Sequence, residues 1–546
     1  MKRRKFIKLS GGTIASVLLT PVFAVEKPST DYIENLIIGS GYGGAVAALR
    51  LAQAGYASTI VEMGLNWNTT GAQYKPFSDM LAPQSNSTWL KEKTIAPLLN
   101  ITEFSEKFTG VLDRVDYNEI KVYLGRGVGG GSLVNGGMAV TPNQQYFAEV
   151  FPDLNAKDFY IKYFPKAKAQ LGVNEINQDF YKKTDFYKFA RVGEKEAQKA
   201  GFTTIKVPNV YDFGYMEKED KKLVPRSAFN KEVIYGNNYG KLSLDKTYLK
   251  DALETGLLTI LDLHRVDSIN QNTDGTFNVY ISMINVHGTT IKTKIVICKK
   301  LFLSAGSIGT TNLLVAAKGK SDLHNLDTSI GQTWGNNGNI MTGRNFVNTI
   351  FNKVIPPQKN SLGRGTGVNQ SSIPVVGIDN WDDEVHPYFA EISPFPMGME
   401  VYTALYLLIN KVPNKGYFFW DSSTKSVQLK WDKTNWGNAY NNAKNFIDRM
   451  IKSNGGTRTH LFFDNGFGPD ICYHPLGGCV LGQSTDNYGR IKGYKNLYAI
   501  DGSLVPGTIG VNPFLTITAL SEYCIENIYL CVADIIVSVK IVRNPK

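Results

Sequence analysis

The stretch NLIIGSGYGGAVAALRLAQAGYASTIVE, residues 35–62, decides the fold. Leu36, Ile37 and Ile38 form a short apolar run suited to a buried parallel strand. Gly39, Gly41 and Gly44 follow in the G-x-G-x-x-G spacing. Residues 45–54 are Ala-rich and helix-forming, residues 59–61 read as the next strand, and Glu62 stands at its end, 18 residues past the third glycine. Each part has a physical task. Gly39 permits a tight turn, Gly41 lets backbone approach a pyrophosphate, and Gly44 lets helix and strand pack closely. The helix N-terminus faces the phosphates, and Glu62 accepts hydrogen bonds from an adenosine ribose. The glycines alone would also fit an ordinary βαβ unit. The acid closing the second strand points to a nucleotide.

The chain has 546 residues, 43% hydrophobic and 20% charged, which is the balance of a globular protein. It has room for two to four domains, or two large interwoven ones. The net charge is +11, but Lys2, Arg3, Arg4, Lys5 and Lys8 fall in a leader without acids, leaving about +6 for the body. No Lys/Arg-rich block is present, so nucleic-acid binding is not expected. Five cysteines (Cys298, Cys472, Cys479, Cys524 and Cys531) are too sparse for a disulfide framework and read as buried free thiols. Cys472 and Cys479 flank His474, yet Asp470 is the one acid close by, so no metal site is expected. Residues 1–24 combine a basic start, an apolar run and a small-residue cleavage signal. The Arg3-Arg4 pair resembles a bacterial twin-arginine signal, which exports folded proteins to a secreted or periplasmic location. A retained anchor is the other reading, although the apolar run is short for a span.

Residues 63–124 read as an excursion of loops. Residues 125–138, GRGVGGGSLVNGGM, are dense in glycine but interleaved with apolar residues, unlike a flexible linker, and read as a cofactor contact. Helical patches are expected at 159–171, 186–200 and 246–254, the last capped by Asp245. Residues 258–269 and 277–286 alternate as strands, with His264, Arg265 and Val266 on the first. Residues 295–304 form a strand that enters a Gly/Ser turn and helix, returning the chain to the nucleotide fold. Strands at 372–378 and 388–392, aromatic sequence and a helix at 440–452 belong to a second domain. Finally, the strand at 496–500 ends in Asp501-Gly502, and a long helix covers residues 515–529. A strand closing on Asp-Gly beside a cofactor suits the ribityl side of an FAD fold, which favours FAD over NAD.

Three residues are candidates for chemistry. His474 lies in a Pro/Gly turn before the returning strand, and histidine exchanges protons or hydrogen bonds with an alcohol near neutral pH. A structurally satisfied histidine is the alternative. Asn512-Pro513 starts the last helix, and N-capping alone explains both residues. That helix N-terminus would also stabilise negative charge on a reduced flavin. Glu391 sits in the nearly uncharged stretch FAEISPFPM, where desolvation would raise its pKa. A surface Glu at a strand edge is equally consistent.

Together the segments GSGYGG (39–44), GRGVGGGSLVNGGMAV (125–140), LFLSAGSIGTTNLL (301–314), NGNIMT (337–342), AEISPFP (390–396), YHPLGGCVLG (473–482) and DGSLVPGTIGVNPFLTITAL (501–520) resemble the glucose–methanol–choline (GMC) family of FAD oxidoreductases. Within it they resemble the secreted bacterial cholesterol oxidases with non-covalent FAD. The resemblance runs through nearly the whole mature chain. It implies an α/β, overall α+β, fold: a Rossmann-like FAD-binding domain (32–70, 242–332 and 490–546) interwoven with a substrate domain on a large, mostly antiparallel sheet (71–241 and 333–489). It implies oxidation of a 3β-hydroxysterol, with hydride passing from C3 to flavin N5 and dioxygen giving hydrogen peroxide. Migration of the double bond from Δ5 to Δ4 then gives a product such as cholest-4-en-3-one. Glu391 matches the isomerisation base, His474 the residue that orients the hydroxyl, and Asn512 a residue contacting flavin and substrate. The family's FAD contacts fall on Tyr42, Gly43, Glu62, Gly131, Asn135, Gly136, Met138, Val266, Gly502 and Phe514, beside Gly39, Gly41, Gly44 and Asp501.

Some family members link the flavin covalently near residues 125–140. This chain has no His before His264 and no Cys before Cys298, so a dissociable FAD is expected. The expected partners are sterol, O2 and, transiently, a membrane surface, with a monomeric protein. The competing readings are a relative acting on another alcohol or passing electrons to a quinone, and a non-catalytic sterol-binding protein on a degenerate flavin fold.

Overall fold

The computed structural model describes residues 30–68, 83–95, 103–230, 239–345, 370–393, 403–412, 415–432, 437–458 and 471–542, with side chains of the last helix described to residue 529. The expected leader at 1–24 and residues 394–396 of the AEISPFP segment lie outside these. Leu36, Ile37 and Ile38 end the strand Thr30–Ile38, buried on both faces as a central parallel strand must be. The helix Tyr42–Gln53 follows, then the strand Ser58–Val61. One sheet runs in the order Leu258–Leu261, Ser58–Val61, Thr30–Ile38, Thr290–Leu303, Phe277–Ile284, His264–Gln271, and Leu497–Ala499 pairs with Thr290–Leu303 as well. Its first pairings are parallel, and the last three strands form an antiparallel meander. Distant stretches of sequence thus converge on one nucleotide-type sheet.

A second, wholly antiparallel sheet runs in the order Thr457–Arg458, Asn339–Asn345, Thr403–Asn410, Tyr388–Ser393, Val376–Asp379, Thr203–Lys206. Glu391 and Met341 both register with Leu407, and Ser393 registers with Leu405. Side chains two apart on a strand share a face, so these positions make one wall. The fold is therefore a mixed α/β architecture of sheets and helices, as the sequence predicts.

Four local expectations need correction. Residues 63–124 are not loop throughout: Leu112–Asp116 and Lys121–Gly125 pair as a hairpin, and Ile471–Cys472 joins it. The run 258–269 is two strands, broken at Leu263, whose φ of 54° cannot continue a strand. Asp245 does not cap the helix Tyr248–Glu254; it lies in the preceding turn and accepts from Ser243 and Asn68. The last helix runs on to Val542, past the predicted end at residue 529. Among the described residues no helix is long and apolar enough to cross a membrane.

Candidate active site

A cavity of about 900 Å³ opens between the two sheets. Of the seventeen distinct positions named above as site residues, only Gly44 does not line it. Gly44 instead packs the helix: a Cβ there would lie 2.1 Å from the Gly39 carbonyl oxygen. Gly39 makes the turn at φ +93°. A Cβ on Gly43 would fall 1.5 Å from the Ile500 carbonyl oxygen, so any side chain would push the helix off the returning strand. At Gly131 the missing Cβ would meet open space and at Gly41 only the Ser304 carbonyl oxygen at 4.0 Å, leaving backbone accessible from the cavity.

Glu62 is buried, and its carboxylate already accepts from Ser40 N (3.1 Å), Ser40 Oγ (2.7 Å) and Gly64 N (2.9 Å). A carboxylate offers about four acceptor positions, so one remains for a ribose hydroxyl. Ser40, absent from the sequence reading, also receives the Gly129 N–H at 3.0 Å and so ties the second glycine turn to the first. Val266 lies at a β-bulge, where the interrupted ladder leaves backbone available at the same end of the cavity. Asp501 is engaged by Gly306 N (2.9 Å), Thr310 Oγ1 (2.5 Å) and Ser503 N (2.8 Å), so it pins the strand end to the helix Gly306–Gly319. Gly502 follows it in the cavity wall.

Along the opposite wall, Asn135 donates to the Tyr42 hydroxyl at 2.6 Å, and Tyr42 stacks on Phe514 with ring centroids 5.1 Å apart. The Asn135 side-chain oxygen is buried without a partner, a group awaiting a ligand donor. Sequence reading also missed Lys241. It is fully buried, donates to the Asn135 carbonyl, and is pulled down to about 7 by desolvation. No peptide among the described residues is cis, so the Gly136 N–H of that same peptide points away from Lys241. Gly136 lines the cavity, and its N–H has no partner among the described residues. The Nζ–H bond to the carbonyl polarises this N–H toward the cavity.

At the far end Glu391, Asn512 and His474 share the cavity. Glu391 Oε1 accepts from Asn512 Nδ2 at 2.6 Å. Its carboxyl is pushed up to about 7, because desolvation outweighs that hydrogen bond. The capping reading of Asn512 does not hold: the helix starts at Phe514, the Asn512 amide is turned to Glu391, and its own oxygen is buried without a partner. His474 is pulled down to about 3 by desolvation, so its imidazole is neutral. Asn339 Oδ1 receives the Tyr473 N–H (3.3 Å), which turns Nδ2 toward His474 Nδ1 (3.0 Å). Nδ1 therefore accepts, and the ring proton sits on Nε2. Around these groups the wall is apolar: Met138, Met341, Leu405 and Leu407. Four described cysteines are buried free thiols.

The raised pKa of Glu391 carries a stability consequence. Folded Glu391 holds its proton to about 7, the unfolded chain only to about 4.5. Its contribution is intact below 4.5 and is lost as pH rises to 7. Glu391→Gln should therefore raise stability by about 2 kcal/mol above pH 7 and not at all at pH 4, measured by denaturant melts at the two pH values.

These features define a nucleotide-linked oxidoreductase. The chain belongs to the GMC oxidoreductase family: the family model matches residues 7–333, and those of its C-terminal parts match 337–464 and 463–521. Members of this family generally bind FAD. The chain is 24% identical over 560 residues to a cholesterol oxidase of Acinetobacter baumannii, covering 90% of this chain and 93% of that one. It is also 24% identical to a cholesterol oxidase of Mycobacterium tuberculosis over 572 residues, covering 91% and 90%. A long-chain-alcohol oxidase of Arabidopsis thaliana is 22% identical, over 90% of this chain and 67% of its own. In fold the chain resembles pyridoxine 4-oxidase from Mesorbium loti (TM-score 0.58, 14% identity, 91% and 99% covered).

Proposed function

We propose that this protein is an exported FAD-dependent oxidase of 3β-hydroxysterols, with cholesterol as the reference substrate. It passes electrons to O2 and then isomerises the Δ5-3-ketone to the Δ4-3-ketone. The observation that carries this reading is the pairing of Glu391 with Asn512 on an apolar wall, in the same cavity as neutral His474. A simple alcohol oxidase, the reading that the plant relative suggests, has no use for a second proton-transfer group poised near neutrality.

FAD fits the cavity's donors and acceptors: two glycine turns and the Gly136 N–H as donors, one open position on Glu62 and the orphaned Asn135 oxygen as acceptors. When bound it supplies a two-electron acceptor. With no histidine before His264 and no cysteine before Cys298, the cofactor is held without a covalent bond. His474 Nε2–H hydrogen-bonds to the substrate oxygen and so orients C3; a group titrating near 3 is a donor here rather than a base, and the hydroxyl proton released with the hydride is consumed with it when O2 becomes H2O2. Glu391, ionised above about 7, takes the C4 proton of the β,γ-unsaturated ketone and returns it at C6. Met341, Leu405 and Leu407 exclude water from both events. The sterol is taken from a membrane surface by a monomer whose leader is removed on export.

Incubation with cholesterol in air tests the proposal: peroxide and the enone chromophore should both form. Peroxide without enone removes the isomerase, and neither product with any 3β-hydroxysterol removes the sterol reading. Lys241 gives a further expectation. Lys241→Met should lower the midpoint potential of bound FAD by about 30 mV, the two-electron equivalent of one hydrogen bond. An unchanged potential in a spectroelectrochemical titration would place Lys241 in the scaffold.

A further inference from the structure

The turn Asn336–Asn339 is not needed to line the cavity, yet its side chains reach both ends of the catalytic group. Asn339 orients His474. Asn337, two residues earlier, is fully buried and left-handed at φ 58°, a conformation open to Asn and Gly at low cost. Its backbone N–H bonds the Gly507 carbonyl at 3.0 Å. Its side-chain oxygen accepts from Ile509 N at 2.8 Å and, more weakly, from Gly510 N and Thr508 Oγ1, both at 3.4 Å. Its amide nitrogen donates to the Val511 carbonyl at 2.8 Å. One carboxamide thus satisfies both a donor and an acceptor of the loop 507–511, as a neighbouring strand would. The next residue is Asn512.

We propose that Asn337 is a positioning residue: its carboxamide, bridging Ile509 and Val511, fixes the loop from which Asn512 reaches Glu391. The segment has no regular secondary structure of its own at 508–513, so its direction depends on such side-chain bonds. Among the described residues the Asn512 bond is the one side-chain hydrogen bond that Glu391 receives, and burial and that bond are what act on its titration. Releasing the loop therefore has a specific signature at Glu391 that a general loss of stability lacks. The use of Glu391 in isomerisation rests on the function proposed above; its titration in the resting protein does not.

The test is the pH titration of the Glu391 carboxyl band by infrared difference spectroscopy on FAD-loaded protein without substrate, the band assigned with Glu391→Gln. Asn337→Gly keeps the left-handed backbone unstrained and removes the bridge. It should move the Glu391 titration upward by about one pH unit, as should Asn512→Leu. The double variant should move no further than Asn512→Leu alone, because the first residue acts through the second. Asn337→Asp, which keeps the acceptor and loses the donor, provides the same cycle if the glycine variant does not fold. A Glu391 titration unmoved by Asn337→Gly, or a shift that persists in full in the Asn512→Leu background, overturns the proposal. Absence of sterol turnover by the unaltered protein would overturn the functional reading and leave this result standing.

Discussion

Glu391→Gln should stop double-bond migration and leave ketone formation in place, so cholest-5-en-3-one accumulates with peroxide. Removal of a positioned general base costs about 10²–10⁴-fold, and chromatography of the steroid products against time reads it directly. The physical reason lies in the wall on which Glu391 stands. Its neighbours across the sheet are Leu407 and Met341, and among the described residues its one side-chain hydrogen bond comes from Asn512. A carboxyl held near 7 in that setting changes protonation at little cost. Glutamine preserves the shape and the Asn512 contact through its carbonyl but carries no exchangeable acid. In the unaltered protein, migration should speed up as pH rises through about 7, following ionisation of Glu391. Normal enone formation by Glu391→Gln would remove the residue from the role of base.

His474→Ala should slow anaerobic flavin reduction by about 10²–10³-fold, the usual loss when a preorganised donor to a reacting oxygen is deleted. The effect should fall mainly on the reduction rate and only slightly on FAD content, because His474 stands at the substrate end of the cavity. Its ring is locked by Asn339, which accepts from Tyr473 and donates to Nδ1. With the ring proton on Nε2 and desolvation keeping the imidazole neutral, the residue is set to donate across a wide pH range. Stopped-flow reduction at two pH values checks this; reduction at the unaltered rate would assign His474 to scaffold.

Much of this site is legible in the sequence because its parts are local. The turn at Gly39, the helix behind it and Glu62 lie within one βαβ unit, where spacing alone fixes geometry. The strand ending at Leu303 and the one ending at Ala499 could be read because each is a short apolar run before a glycine turn. Residues whose meaning depends on a distant partner were not legible. Lys241 is one lysine among many until the fold sets it behind the Asn135 carbonyl. Asn337 looks like turn-forming sequence until the loop 507–511, some 170 positions later, folds onto it. Asn512 was misread in part for the same reason: beside Pro513 it has the signature of a cap, but a bond to Glu391, 121 positions away, takes its side chain. Asp245 fails as a cap because Ser243 and Asn68 hold it in the preceding turn.

The most direct measurement is the visible spectrum of the purified protein before and after cholesterol is added without oxygen. A yellow protein should lose its oxidised flavin band on mixing and regain it with peroxide when air is admitted. A flavin band that 3β-hydroxysterols leave unchanged, in protein shown to be fully loaded with FAD, would contradict a sterol oxidase.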